Sequence, residues 1–191
     1  KFDRLVSRTK NRPLASGKMS MTEAWLYFIL LATLSLCLLF FVPLYTIYVS
    51  LVVGVFIMIY PLTKRFLKAP QFFLGITFGS GTIISFSLVS SDFSLSLLIL
   101  FIGTVLWIIS FDTIYAFEDI ADDLKIGINS TPILWGDQAL NISKYLHLAF
   151  YISLALIGFI NKFSLFFLII LIILLGLYIH QRRLINNDQY L

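Results

Sequence analysis

Five carboxylates crowd residues 112–123: Asp112, Glu118, Asp119, Asp122 and Asp123, in the stretch FDTIYAFEDIADDLKIGINST that spans 111–131. They follow some twenty mostly apolar residues, an unfavourable place for charge. Continued as one helix, the segment places Asp112, Asp119 and Asp123 seven and four residues apart on one face, with Tyr115 beside them. Like charges at that spacing repel, so an isolated helix of this kind is destabilised unless a cation joins it. Carboxylate oxygens are hard ligands, and Mg²⁺ suits them, usually through one or two carboxylates, waters and a substrate phosphate. The plainer alternative is a solvated helix end at a membrane surface, which fits Asp122, on another side of the helix. It fits Asp112 least: that residue lies about two turns inside the apolar boundary, where an ionisable group faces a bundle interior and is functional by default.

Two other segments carry cations. The stretch KFDRLVSRTKNRPLASGK at 1–18 is dense in Lys and Arg, and several of these charges fit simple orientation and lipid headgroup contact. In YPLTKRF, Tyr60 and Lys64 stand four apart at the end of an apolar run, followed by Arg65.

The elements that must position these groups are membrane spans. Of 191 residues, 59% are hydrophobic and 13% charged, and the mean hydropathy is +0.94. A soluble domain of this length carries about twice that charge, so the composition predicts an integral membrane protein. The expected fold class is all-α: a polytopic membrane bundle of about six transmembrane helices, forming one domain over 1–191. Apolar stretches predict spans near 22–42, 44–60, 71–91, 94–115, 143–160 and 163–180, each long enough for a hydrocarbon core of about 30 Å. Ser20 to Glu23 (SMTE) predicts a capping box opening the first helix, and Pro43 a tight hairpin after it. In GITFG, Gly75 and Gly79 stand four apart, which reads as a close helix contact or local bend rather than a ligand site. The lone Cys37 sits in an apolar run and reads as a small hydrophobe.

Between these spans, thirteen of the fourteen Lys and Arg residues fall in alternate loops, and the intervening hairpins carry only Lys162, with Asp92. By the positive-inside rule the basic loops face the cytoplasm, so both chain ends and all three motif-like segments converge on one face. The net charge of +4 therefore marks orientation and calls for no nucleic-acid partner. Cations and a carboxylate-bound metal at one mouth suit a polyanion such as a diphosphate. The long apolar interior suits a lipid tail, and the two together an isoprenyl diphosphate.

These segments resemble the UbiA prenyltransferase family. The resemblance rests on FDRLVSRTKNRPLASGK (2–18), YPLTKRFLKAPQFFLG (60–75) and FDTIYAFEDIADDLKIGINSTPILWG (111–136), in order along the whole chain, and its DTIYAFED and KIGINST wording is closest to the 4-hydroxybenzoate polyprenyltransferase branch. Members carry two aspartate-rich motifs, NDxxDxxxD and DxxxD. The second matches Asp119-x-x-x-Asp123, with Asp112 and Asp122 nearby, and Tyr60-x-x-x-Lys64 matches the family's YxxxK pattern. The chain departs at the first motif: Asp3 matches its last aspartate, and the Asn and two Asp residues before it are missing. The first two spans and the last span of a full member are missing too. The resemblance thus implies a domain incomplete at both ends, and a 191-residue chain that does not turn over alone.

What the resemblance implies about chemistry is transfer of a polyprenyl group from polyprenyl diphosphate to the ring of 4-hydroxybenzoate, with Mg²⁺ bound between the aspartate motifs. Asp3, Asp119 and Asp123 are the implied metal ligands, and Asp119, Asp123 and Lys64 the implied catalytic residues. Arg8, Arg12, Tyr60, Lys64, Arg65, Asp112 and Tyr115 are the implied substrate-binding residues: Arg8 and Lys64 for the diphosphate, Arg65 or Arg12 for the acceptor carboxylate. The implied setting is a bacterial or mitochondrial inner membrane, with membrane lipid as neighbour and the motif loops on the cytoplasmic or matrix side. His147 and His180 read as interfacial, Trp25, Trp107 and Trp135 as packing or belt residues, and the sequons at Asn129 and Asn141 as unused on the cytoplasmic side. Within the family, haem, homogentisate or naphthoate are alternative acceptors. Outside it, an ion-coupled transporter would use Asp112 but leaves the one-sided clustering of acids and bases unexplained. A CDP-alcohol phosphotransferase would need an Asp-Gly…Ala-Arg pattern that the sequence lacks.

Overall fold

The computed structural model describes residues 4–63 and 66–186, so the expectations attached to Asp3, Lys64 and Arg65 lie outside the described residues. All regular elements among the described residues are helical: α1 (Met21–Leu38), α2 (Leu44–Thr63), α3 (Pro70–Ser87), α4 (Leu95–Tyr115), α5 (Ile120–Ile126), α6 (Thr131–Trp135), α7 (Ala139–Ile160) and α8 (Leu165–Asn186). Local signals set their ends. The Ser20 hydroxyl accepts the Glu23 N–H at 3.2 Å while the Glu23 carboxylate accepts the Ser20 N–H at 2.7 Å, the reciprocal capping box expected at α1. Pro43 precedes α2, Pro70 opens α3, and the Ser94 hydroxyl caps α4 through the Leu97 N–H at 3.1 Å.

Five helical stretches are long and apolar enough to cross a membrane: Met21–Phe41, Leu44–Thr63, Leu95–Ile126, Thr131–Ile160 and Leu165–Ile185. The chain is thus an integral membrane protein. The sixth expected span, α3, forms as an 18-residue helix but falls short of that apolar standard. The reason is packing: Gln71, Gly75, Thr77, Gly79, Ser80 and Ser87 are buried against protein, and a helix so covered does not need lipid-soluble side chains there. α8 also runs past its expected end at 180, through Arg182 and on to Asn186.

The long helices pack in the order α2–α3–α4–α7–α8, with α4 held between α3 and α7. Lipid tails are as apolar as leucine, so helices in a bilayer associate through close packing and hydrogen bonds. Both occur here. A Cβ added at Gly75 would lie 2.9 Å from the Ile109 side chain, and one at Gly79 2.7 Å from Val105, so these glycines form the close α3–α4 contact expected of GITFG. Hydroxyls tie the rest. Ser110 and Ser143 join α4 to α7 at 2.9 Å, Thr46 of α2 donates to the Ser87 carbonyl of α3 at 2.7 Å, and Thr113 meets Thr131 at 2.7 Å.

A candidate diphosphate and metal site at one mouth of the bundle

The N-terminal segment lies across the end of the bundle where α4 finishes. Its turns are locally closed, with the Thr9 and Lys10 N–H groups donating to the Val6 carbonyl at 3.1 and 3.0 Å, and Val6 and Thr9 are buried. Burying those two residues fixes the backbone that projects Arg8. The Arg8 guanidinium then forks onto Asp119: Nε donates to Oδ1 at 3.1 Å and Nη2 to Oδ2 at 2.5 Å. Nη1 donates to the Tyr115 hydroxyl, the guanidinium carbon sits 4.6 Å from the Tyr115 ring centroid, and Glu118 approaches Nε at 3.8 Å. The Asp119 hydrogen bonds raise the Arg8 pKa above its ordinary value, so the group is cationic at every relevant pH. One residue earlier, the Ser7 backbone N–H donates to Asp122 at 2.8 Å. Asp122, expected as a free surface acid, thus anchors the N-terminal segment, and Lys125 attends it at 3.7 Å.

The acidic stretch is not one continuous helix. α4 ends at Tyr115, a 3₁₀ turn spans Ala116–Asp119, and α5 begins at Ile120. The tighter turn breaks the register that would have stacked Asp112 with Asp119 and Asp123 on one face, while Asp119 and Asp123 stay one turn apart at the start of α5. Asp119 is nonetheless largely covered, with 13% of its side chain exposed, and Asp123 is buried at 6%. α5 stops at Gly127, whose φ of 75° is the left-handed conformation that glycine adopts without strain; its N–H and that of Ile128 both return to the Asp123 carbonyl. α6 is fastened to α3 and α4 by Gln71, which accepts the Thr131 N–H at 3.0 Å, and by the Thr113–Thr131 pair.

The remaining expected residues fall around this turn. Asp112 and Tyr60 are half-buried electrostatic neighbours, Arg12 is exposed, and Asp3, Lys64 and Arg65 lie outside the described residues. Among the described residues no group of three or more His, Cys, Asp or Glu side chains converges on one point. Two covered carboxylates one helical turn apart still fit Mg²⁺, which takes one or two protein carboxylates and completes its shell with water and phosphate oxygens. A further oxygen adjoins this stretch in sequence: Ser130 Oγ, in the loop between α5 and α6, is buried with no hydrogen-bond partner among the described residues.

Some polar contacts were not foreseen. Ser7 acts through its backbone, which no side-chain pattern can reveal. Arg182, read from sequence as a loop cation, is buried at 8% between α4, α7 and α8; Nη2 donates to Ser143 at 3.3 Å and Ser110 at 3.5 Å, and the guanidinium carbon lies 5.4 Å from the Tyr178 ring centroid. The hydroxyls of Ser110 and Ser143 were the available signal, but only the extended α8 brings Arg182 to them. His147 stacks on Tyr151 and meets the edge of Tyr178, which places it in helix packing rather than at the site. Trp107 stacks on Phe150 and Trp135 packs edge-on against Phe72. Beside the Arg8 assembly, Phe111, Tyr115, Glu118, Leu140, Gln181 and Leu184 line a groove of about 410 Å³ leading away from the acidic turn.

The sequence of the UbiA prenyltransferase family matches residues 1–190. A 4-hydroxybenzoate octaprenyltransferase from Escherichia fergusonii is 36% identical over 189 residues, covering 99% of this chain and 65% of that protein. The enzyme of the same name from Tolumonas auensis is 34% identical, covering 99% of this chain and 66% of its own length. The chain therefore spans about two thirds of the length of these relatives. The apo structure of a UbiA homolog from Aeropyrum pernix K1 superposes with a TM-score of 0.84 at 26% identity, covering 98% of this chain and 72% of that one. The match along the whole chain and the shared fold agree: the protein belongs to the UbiA prenyltransferase family.

Proposed function

We propose that the protein serves the transfer of a polyprenyl group from polyprenyl diphosphate to 4-hydroxybenzoate, a step of ubiquinone biosynthesis, with its motif loops on the cytoplasmic side of the inner membrane. The observation that carries this reading is the Arg8–Asp119–Tyr115 assembly beside the buried Asp123, a cation and two covered carboxylates at the mouth of an apolar groove. The names of the relatives support the substrates.

In this reading Asp119 and Asp123 hold Mg²⁺, with Asp3 as a third ligand. Bound there, the metal supplies positive charge to the departing diphosphate as the allylic C–O bond breaks. Arg8 and Lys64 bind diphosphate oxygens, and a guanidinium fork that pairs with a carboxylate has the geometry to pair with phosphate. Arg12 or Arg65 meets the acceptor carboxylate. Tyr115 and Phe111, stacked with ring centroids 6.3 Å apart, present apolar faces that exclude water from the allylic cation. The ring carbon ortho to the phenol then bonds to the prenyl carbon and loses its proton.

The test is Mg²⁺-dependent prenylation of radiolabelled 4-hydroxybenzoate by membranes carrying the protein at the full length of its reading frame. Asp119→Ala combined with Asp123→Ala is expected to lower the rate by about 10²–10³-fold, the scale of losing a key electrostatic stabiliser. Activity that survives the double substitution overturns the ligand assignment. Homogentisate, naphthoate or haem prenylated in place of 4-hydroxybenzoate would move the substrate to that acceptor.

A further inference from the structure

Arg8 occupies the carboxylate that the metal reading requires. Its Nε and Nη2 engage both oxygens of Asp119, at 3.1 and 2.5 Å. A divalent cation on either oxygen would stand beside the guanidinium, and like charges at that range repel strongly where little water screens them. Asp119 is such a place, with 13% of its side chain exposed. Arginine keeps its charge at every relevant pH, so proton loss cannot relieve the conflict. The fork and a metal on Asp119 are therefore alternatives, and only movement of the guanidinium converts one into the other.

The surroundings allow the side chain to move while the backbone stays. Val6 and Thr9 are buried, and the Ser7 N–H donates to Asp122 at 2.8 Å, a tether that does not involve the Arg8 side chain. Tyr115 supplies a pivot: Nη1 donates to its hydroxyl, and the guanidinium carbon lies 4.6 Å from its ring centroid. Arg8 is also the more exposed partner, with its side chain at 31%, so an anion arriving at the mouth reaches the guanidinium more readily than the carboxylate. Phosphate offers the guanidinium the same parallel pair of acceptors that Asp119 offers, with more negative charge.

We propose that Arg8 exchanges Asp119 for the diphosphate of the donor, and that this exchange releases Asp119 to the metal, so that neither is taken up fully without the other. The proposal rests on the prenyl-transfer reading above and adds an order to it: Arg8 covers Asp119 until a diphosphate draws it away. Coupling of this kind is reciprocal, so diphosphate tightens the metal and the metal tightens diphosphate.

The experiment measures binding rather than turnover. Full-length protein in detergent is titrated with Mn²⁺ in place of Mg²⁺, read by the loss of the free-ion EPR signal, and separately with radiolabelled inorganic diphosphate at saturating Mg²⁺. Arg8→Gln is expected to tighten Mn²⁺ alone by about tenfold, within the ordinary range of coupling between two sites, and to weaken diphosphate by a similar factor. The opposite signs exclude general damage, which weakens both. Arg8→Lys keeps the charge and loses the parallel pair, so it is expected to shift both affinities the same way by a smaller factor. It decides the matter if Arg8→Gln fails to accumulate. Lys10→Gln removes an exposed cation from the same segment and is expected to leave Mn²⁺ affinity within about twofold, because water and salt screen that charge. Mn²⁺ affinity that is unchanged or weaker in an accumulating Arg8 variant overturns the exchange. So does an equal tightening in Lys10→Gln, which would make the effect one of net charge. Mn²⁺ that fails to bind even to Arg8→Gln, or binds Asp119→Asn as it binds the wild type, instead overturns the metal site on which the proposal stands.

Discussion

Arg8 is the residue on which the mouth of the bundle turns. Its planar fork meets both oxygens of Asp119 while the same guanidinium lies over the Tyr115 ring and donates to its hydroxyl. A lysine ammonium carries the charge but cannot make the parallel pair or stack in the same way. Arg8→Lys is therefore expected to lower kcat/KM for the diphosphate donor by about 10–100-fold, the scale of a lost hydrogen bond to a charged group, with KM for the acceptor unchanged. Steady-state rates at saturating Mg²⁺ measure both, and a lysine variant with wild-type kinetics would reduce Arg8 to a general electrostatic role. Because its carboxylate partner holds Arg8 protonated, no titration of this group enters the pH profile of the reaction. The types of residue at this site were legible from sequence; the pairing was not. Arg8 and Asp119 stand 111 residues apart, and Arg4, Lys10 and Arg12 were equal candidates by composition.

At the scale of elements, long apolar runs with caps or prolines at their ends were readable to within a few residues, because lipid exposure leaves a strong periodic-free hydrophobic signal. The short elements were not. α5 and α6 have seven and five residues, too few to hold a helix by propensity, and are made by tertiary contacts such as Gln71 to Thr131. The 3₁₀ turn at Ala116–Asp119 likewise leaves no mark in the spacing of the acids. Where helices meet most closely, packing dominates. On α4, Gly103 lies so near α7 that an added Cβ would stand 1.9 Å from Ser153 Oγ and 2.8 Å from Ser153 Cβ. Gly103→Ala is expected to destabilise the protein by about 1–3 kcal/mol through overpacking, read as a lower unfolding midpoint in detergent. Ser153→Gly added to it removes both clashing atoms and is expected to recover most of the loss. Gly54→Ala, where a Cβ meets nothing within 4 Å, is the control and is expected to be neutral or slightly stabilising. A Gly103→Ala midpoint equal to that of Gly54→Ala would show that α4 and α7 do not depend on this contact.

At the scale of the whole molecule, the loops sort into two physically separate sets. Arg8 to Asp119 and Gln71 to Thr131 tie together the N-terminal segment, the start of α3 and the loops around α5 and α6, while Asn161 to Ser96 ties together the hairpins at the other end. By sequence, Lys162 is the one Lys or Arg of the fourteen that falls in the second set's hairpins. By the positive-inside rule that asymmetry predicts that the Arg8 assembly faces the cytoplasm, as the proposed function requires. Cysteine accessibility tests the orientation without reference to activity. The native Cys37 is exposed near the far end of α1 and is first replaced by serine. In that background, Asp92→Cys in the hairpin between α3 and α4 is expected to react with a membrane-impermeant maleimide added to intact cells. Lys125→Cys, three residues from Asp122 at the mouth, is expected to react only after the membrane is permeabilised. Labelling of Lys125→Cys from outside would invert the topology, and the acidic turn would then open away from the cytoplasm, leaving the diphosphate-binding mouth on the side opposite to the proposed supply of its substrates.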